Sequence, residues 1–188
     1  TNSMLKDNDS WSVEEGIGPT PQRSDLRLGV TTDPPHHLKV RQVMQRGFTP
    51  PQLKRLAVEI DRIADELLDV MDNMPEKKGD FYDLFAAPLP ARIMCIMLGV
   101  PEKDYVFYKE WADNFLLNDM NNPNFDNKVE EAGRISAPII GIINERRALL
   151  ESKGLKPDLS LLGNEIPDDF ISRFMCDQID GEPLSVQE

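Results

Sequence analysis

The chain has 188 residues, 40% of them hydrophobic, and a net charge of −12; that is enough for one domain with a real core, and too apolar for disorder. Its two cysteines exclude a disulfide scaffold or a four-cysteine zinc site. The acidic balance excludes a general nucleic-acid surface, and no run approaches the ~18 apolar residues needed to cross a bilayer.

In chain order, residues 1–34 read as a helix end at Met4 to Asp7, then a long irregular loop broken by Gly16, Gly18, Pro19, Pro21 and Gly29. Asp33-Pro34-Pro35 predicts a helix start, with Asp33 as N-cap and proline in the first turn, running to about Gly47. From Pro51 a second helix is expected, with Leu53, Leu56, Ile60, Ile63, Leu67 and Met71 on one face. Lys77 to Asp80 is a turn, and Phe81 to Pro90 a linking segment. Ala91 to Leu98 is a short apolar helix stopped by Gly99. Pro101 to about Leu117 is a further helix, carrying Tyr105, Tyr108, Trp111 and Phe115. After a polar loop, Lys128 to Ser152 reads as a long helix interrupted by Pro138. Asp168 to about Gln178 is the next helix, followed by a turn at Asp180-Gly181-Glu182. No strand is expected, so the fold class is all-α. Ser185 to Glu188 has the pattern of a capping box with no helix behind it, so the chain is expected to be a fragment of a longer polypeptide.

The charge is uneven. Between Pro34 and Val58 there is no acidic residue, while Lys39, Arg41, Arg46, Lys54 and Arg55 are all basic. A basic island in an acidic chain asks for a local anionic partner. At 100° per residue, His37, Val40, Arg41, Met44 and Phe48 share one arc of the first helix, and Lys39 and Arg46 lie opposite. That arc is the apolar, inward face, so Arg41 must be paired, because burying a lone guanidinium is very costly. Two readings stay open here. His37 and Arg41 hold a bound carboxylate or phosphate, or Arg41 pairs with an internal acid and His37 is a core histidine. The periodicity leans to the second. A metal site is disfavoured because His36 and His37 are the only histidines and point to different faces.

Asp33-Pro34-Pro35-His36-His37-Leu38-Lys39-Val40-Arg41, followed by Gly47-Phe48-Thr49-Pro50, resembles the C-helix region of the haem-thiolate monooxygenases, the cytochrome P450 family. It is most similar to the soluble bacterial branch. Ile63 to Asp69 is similar to that family's D helix, and Phe85 to Pro90 with Leu98 to Pro101 to its E helix and the start of F. Asp168 to Arg173 and Ile179 to Ser185 resemble the H helix and the turn into the I helix. The resemblance divides the chain into a B–C loop region (1–34), C and D helices (35–74), E and F helices (81–117), and G and H helices up to the I helix (128–188).

The resemblance implies haem b as cofactor, its propionates bound by His37 and Arg41. It also implies a small organic substrate walled by Ile17 to Val30 and Phe115 to Asn124, a cytoplasmic protein, and a ferredoxin-type electron donor. Lys39 and Arg46, with Lys54 and Arg55 behind them, would form the donor's landing patch. No catalytic or metal-ligating residue is assigned. The family's Phe-x-x-Gly-x-x-x-Cys-x-Gly loop and Ala-Gly-x-x-Thr stretch do not occur, nor a Glu-x-x-Arg pair in its K-helix context. Cys95 and Cys176 lie in apolar helical contexts and read as inert core thiols. The 188 residues are therefore expected to be inactive by themselves. The alternatives are a non-catalytic helical interaction protein on the same fold, and another anion-binding helical domain.

Overall fold

The computed structural model describes residues 7, 10–14, 32–121, 126–179 and 181–183, with the backbone only at 114–121, 126–132 and 182–183. Its architecture is all-α: α1 (His36–Arg46), α2 (Pro50–Asp72), α3 (Pro88–Leu98), α4 (Tyr105–Asn121), α5 (Asp126–Ser152) and α6 (Phe170–Cys176). A two-residue hairpin follows, β1 (Gln178–Ile179) against β2 (Glu182–Pro183). Of the turn expected at Asp180-Gly181-Glu182, Gly181 lies between the two strands at φ +86° and Glu182 opens β2, while Asp180 lies outside the described residues. The segment expected to link α2 and α3 is partly ordered as a π-helical turn over Tyr82–Ala86. The capping-box residues at 185–188 and the loop at 17–30 lie outside the described residues.

α3 sits at the centre, packed on α2, α4 and α6. Gly99 ends it in the left-handed region at φ +88°, as its sequence position foretold. Cys95, Val100 and Ile171 form one core cluster with Leu98, Tyr105, Tyr108, Ile139, Ile142 and Ile143. Leu150, Ile166, Met175 and Cys176 form a second, also against Ile143. Ile143 of α5 therefore joins the two. α5 runs on through Pro138, which removes one donor from its ladder.

A polar junction ties α3, α5 and α6 together. Asp169 caps α6 by accepting from the Ser172 backbone N–H at 2.9 Å. Arg146 of α5 donates to both of its carboxylate oxygens, at 2.6 and 2.8 Å, and also to Ser172 Oγ at 2.8 Å and the Gly99 carbonyl at 3.3 Å. A Cβ on Gly99 would lie 2.0 Å from Asp169 Oδ2, so glycine is required there for closeness as well as for φ. A second, more exposed network joins α2 to α3: Arg62 donates to Glu59, Glu66 and Glu102, and Arg92 to Glu66 and Glu102.

Two local expectations need correction. Asp33 does not cap α1: its Oδ1 accepts from the Val13 backbone N–H at 3.1 Å, tying back a residue of the preceding segment. On α2 only Ile63 and Leu67 of the expected apolar face are fully buried, while Leu53 and Ile60 are exposed. That stripe is longer than the part of α2 that α3 and the π-helical turn cover. The Arg146–Asp169 pair is only 11% and 7% exposed. Arg146→Met is expected to destabilise the fold by about 3–5 kcal/mol in urea unfolding, because it strands a buried carboxylate. The same change at the surface ion pair of Lys77 is expected to leave the midpoint nearly unmoved.

Candidate functional site

α1 carries the residues the sequence singled out. Its packed edge is not the expected one: Val43 and Gly47 are buried, while Arg41, Met44 and Phe48 are exposed. By helical geometry Val43 lies about 120° round the cylinder from His37. The arc of His37, Arg41, Met44 and Phe48 is thus an uncovered flank beside the contact edge. The burial argument for a paired Arg41 does not apply in this chain, since an exposed guanidinium is hydrated.

Neither the half-buried His37 side chain nor that of Arg41 meets a hydrogen-bond or ion-pair partner among the described residues. The two stand one turn apart on an open face. Two cationic or hydrogen-bonding side chains so placed, with no partner among the described residues, have the chemistry to bind an anion.

The opposite flank also departs from expectation. Arg46 is not an outward, unengaged cation: its Nη1 pairs with Oδ1 of Asp177, whose side chain is 3% exposed. Arg55 donates to the Asp168 backbone carbonyl, and Gln52 to the Asp168 carboxylate. Lys54 is exposed, and Lys39 is half-buried. Two of the basic island's five cations are therefore engaged by the ends of α6. Sequence reasoning missed Asp168 and Asp177 as their partners, because more than 100 residues separate each pair. The expected substrate walls, Ile17 to Val30 and the side chains of Phe115 to Asn124, lie outside what the structure describes.

No family model matches the chain. Cytochrome P450(MEG) of Priestia megaterium is 30% identical over 189 residues, an alignment that takes in all of this chain and 40% of that protein. The 6-deoxyerythronolide B hydroxylase of Saccharopolyspora erythraea is 27% identical over 79% of this chain and 35% of its own length. In structure, the bacillaene polyketide synthase cytochrome P450 PksS of Bacillus subtilis superposes with a TM-score of 0.68 at 25% identity, over 99% of this chain and 43% of that one. The chain belongs to the cytochrome P450 family. It spans less than half the length of these P450 relatives.

Neither cysteine of this P450 chain has the setting of a reactive thiolate. Cys95 and Cys176 are both buried. Desolvation pushes the Cys95 thiol up to about 11, and Cys176 in the same direction. No helix among the described residues is long and apolar enough to cross a membrane. Both thiols are expected to resist maleimide at neutral pH in the folded chain and to react at once in urea. Because the folded Cys95 pKa lies above its ordinary value of 9.0, its contribution to stability is complete below about pH 9 and is lost as pH rises through about 11. Urea midpoints measured across that interval check the sign.

Proposed function

We propose that this chain is part of a haem-dependent monooxygenase that inserts one oxygen atom of O2 into a small organic substrate. Electrons would come from NAD(P)H through a redox partner. The observation that carries the reading is the His37–Arg41 pair: one turn apart on one flank of α1, with no hydrogen-bond or ion-pair partner among the described residues, in a chain of this family. When bound, haem b supplies the iron at which oxygen is activated.

The chain's own part is to hold and orient the cofactor's edge. The Arg41 guanidinium is permanently charged, and its planar fork suits a carboxylate bidentately. The His37 imidazole donates one hydrogen bond when neutral and two when protonated. Together they would hold the two haem propionates and neutralise charge in a chain that is otherwise strongly acidic. The exposed apolar neighbours Met44 and Phe48 would lie beside the macrocycle and exclude water from its rim. Buried and protonated, Cys95 and Cys176 serve packing, and the thiolate belongs to sequence outside these 188 residues.

For the electron donor, a ferredoxin-type acidic partner fits the basic island. The exposed Lys54 is the cation we retain for it; Lys39, also expected there, is half-buried and engaged by a contact of its own. Arg46, expected there, has its guanidinium committed to Asp177.

The clamp has a direct test in the full-length haem protein. Arg41→Ala removes a charged hydrogen-bonding partner of about 1.5–3 kcal/mol, which accelerates haem transfer to apomyoglobin about 10- to 100-fold. His37→Ala has a smaller effect in the same direction. Unchanged haem transfer in Arg41→Ala would reject the clamp, and would favour a non-catalytic helical interaction protein or a domain binding some other anion.

A further inference from the structure

We infer that Asp177, acting through Arg46, is the positioning residue for the helix that carries His37 and Arg41; this rests on the haem-clamp reading above. The contacts that locate α1 gather at its C-terminal end. Val43 and Gly47 are its buried residues there, and α1 packs on β1. Phe170, at the start of α6, presses its ring against Gly47 so closely that a Cβ would lie 2.2 Å from the ring's Cε1. The Phe48 ring stands 5.3 Å from the same ring, tilted by 57°. On the other side of that end, the Arg46 guanidinium closes on Asp177 at the junction of α6 and β1.

The ion pair is poorly arranged for stability and well arranged for orientation. Asp177 is 3% exposed, and its Oδ1 accepts from Arg46 and from the Gln178 backbone N–H at 2.9 Å. Its Oδ2 is buried with no hydrogen-bond partner. A carboxylate desolvated on one oxygen returns little net energy, and replacing both members of such a pair with neutral groups is often harmless to stability. What the pair supplies is direction. The Phe170–Gly47 contact sets how near α1 lies to α6. A flat ring against a glycine leaves the helix free to roll and tilt. A charged hydrogen bond on the next residue removes that freedom.

The lever is long. Arg41 lies five residues from Arg46, about 7.5 Å along the axis, and His37 nine residues away, about 13.5 Å. A tilt of about 10° at the anchored end moves Arg41 by about 1.3 Å and His37 by about 2.3 Å, enough to break hydrogen-bond geometry at both. Along the rest of α1 only His37, Lys39 and Val40 are half-buried, while His36, Leu38, Gln42, Met44 and Gln45 are exposed.

The test is a cycle in the haem-loaded full-length protein, comparing the neutral double variant Arg46→Gln/Asp177→Asn with Arg41→Ala and with their combination, read as the rate of haem transfer to apomyoglobin. We expect the double variant to speed haem loss about tenfold when Arg41 is present, and by less than about twofold when Arg41 is already alanine. The unfolding midpoint of the apoprotein should move by no more than about 3 °C. Arg46→Lys, which keeps the charge, should restore most of the retention that Arg46→Gln loses. Additive effects on haem loss, or a larger fall of the apoprotein midpoint, would show a merely structural pair and overturn the inference. If Arg41→Ala itself leaves haem transfer unchanged, the clamp reading fails first and this inference falls with it.

Discussion

The two carboxylates at the ends of α6, Asp169 and Asp177, organise this chain. α6 has only seven residues, too few to hold a helical shape without help. Asp169 supplies that help by capping the first turn, and in the same geometry receives both arms of Arg146 from α5. Because Arg146 also reaches the Gly99 carbonyl, the end of α3 is locked to the start of α6. The apolar clusters around Cys95 and Leu150 lie on either side of that lock and share Ile143. A junction of this kind contributes through arrangement more than through net energy, since both charges have given up water to form it. Its failure would separate three helices at once.

The basic island looks different once these acids are placed. Read along the sequence, Lys39, Arg41, Arg46, Lys54 and Arg55 form a single cationic stretch. In space it divides by destination. Arg46 and Arg55 turn towards α6, one to a buried carboxylate and one to a backbone carbonyl. Arg41 stays on the open flank of α1 with His37. The stretch therefore meets an internal anionic demand at α6, and leaves Arg41 with His37 for the external anion of the function proposed above.

Much of the fold was legible because it depends on local signals. Gly99 had to end α3, Asp169 sits where a cap belongs, and the Ile63–Leu67 spacing faces the core as the helical period requires. What could not be read has a physical cause. Helix α1 carries apolar residues all round, at Leu38, Val40, Val43 and Met44, so its period selects no single face. The most populated arc reads as inward, whereas contact occurs at Val43 and Gly47, because the missing side chain of Gly47 admits the ring of Phe170. Long-range polar partners were equally hidden. Arg146 and Asp169 are 23 residues apart, and Arg46 and Asp177 are 131 apart. No local pattern encodes which acid meets which base across such a distance. His37 and Arg41 stand out in the sequence for the opposite reason: the role proposed for them rests on a spacing of four within one helix.

That contrast bears on how the candidate site is built. A pair separated by one turn is preorganised by the helix itself, at no cost beyond forming the helix. Where the pair points is a tertiary matter, decided by a few contacts at the far end of α1. The sequence therefore carries the clamp's internal geometry and conceals its aim. Arg46 illustrates the difference. By charge and position it belongs with the outward cations, and only its engagement by a carboxylate 3% exposed moves it to another role. An exposed arginine responds mainly to solvent and salt. One held by a buried acid ties its own helix to that acid, and it is through Asp177, at the end of α6 where the hairpin begins, that the proposed positioning reaches the His37–Arg41 face.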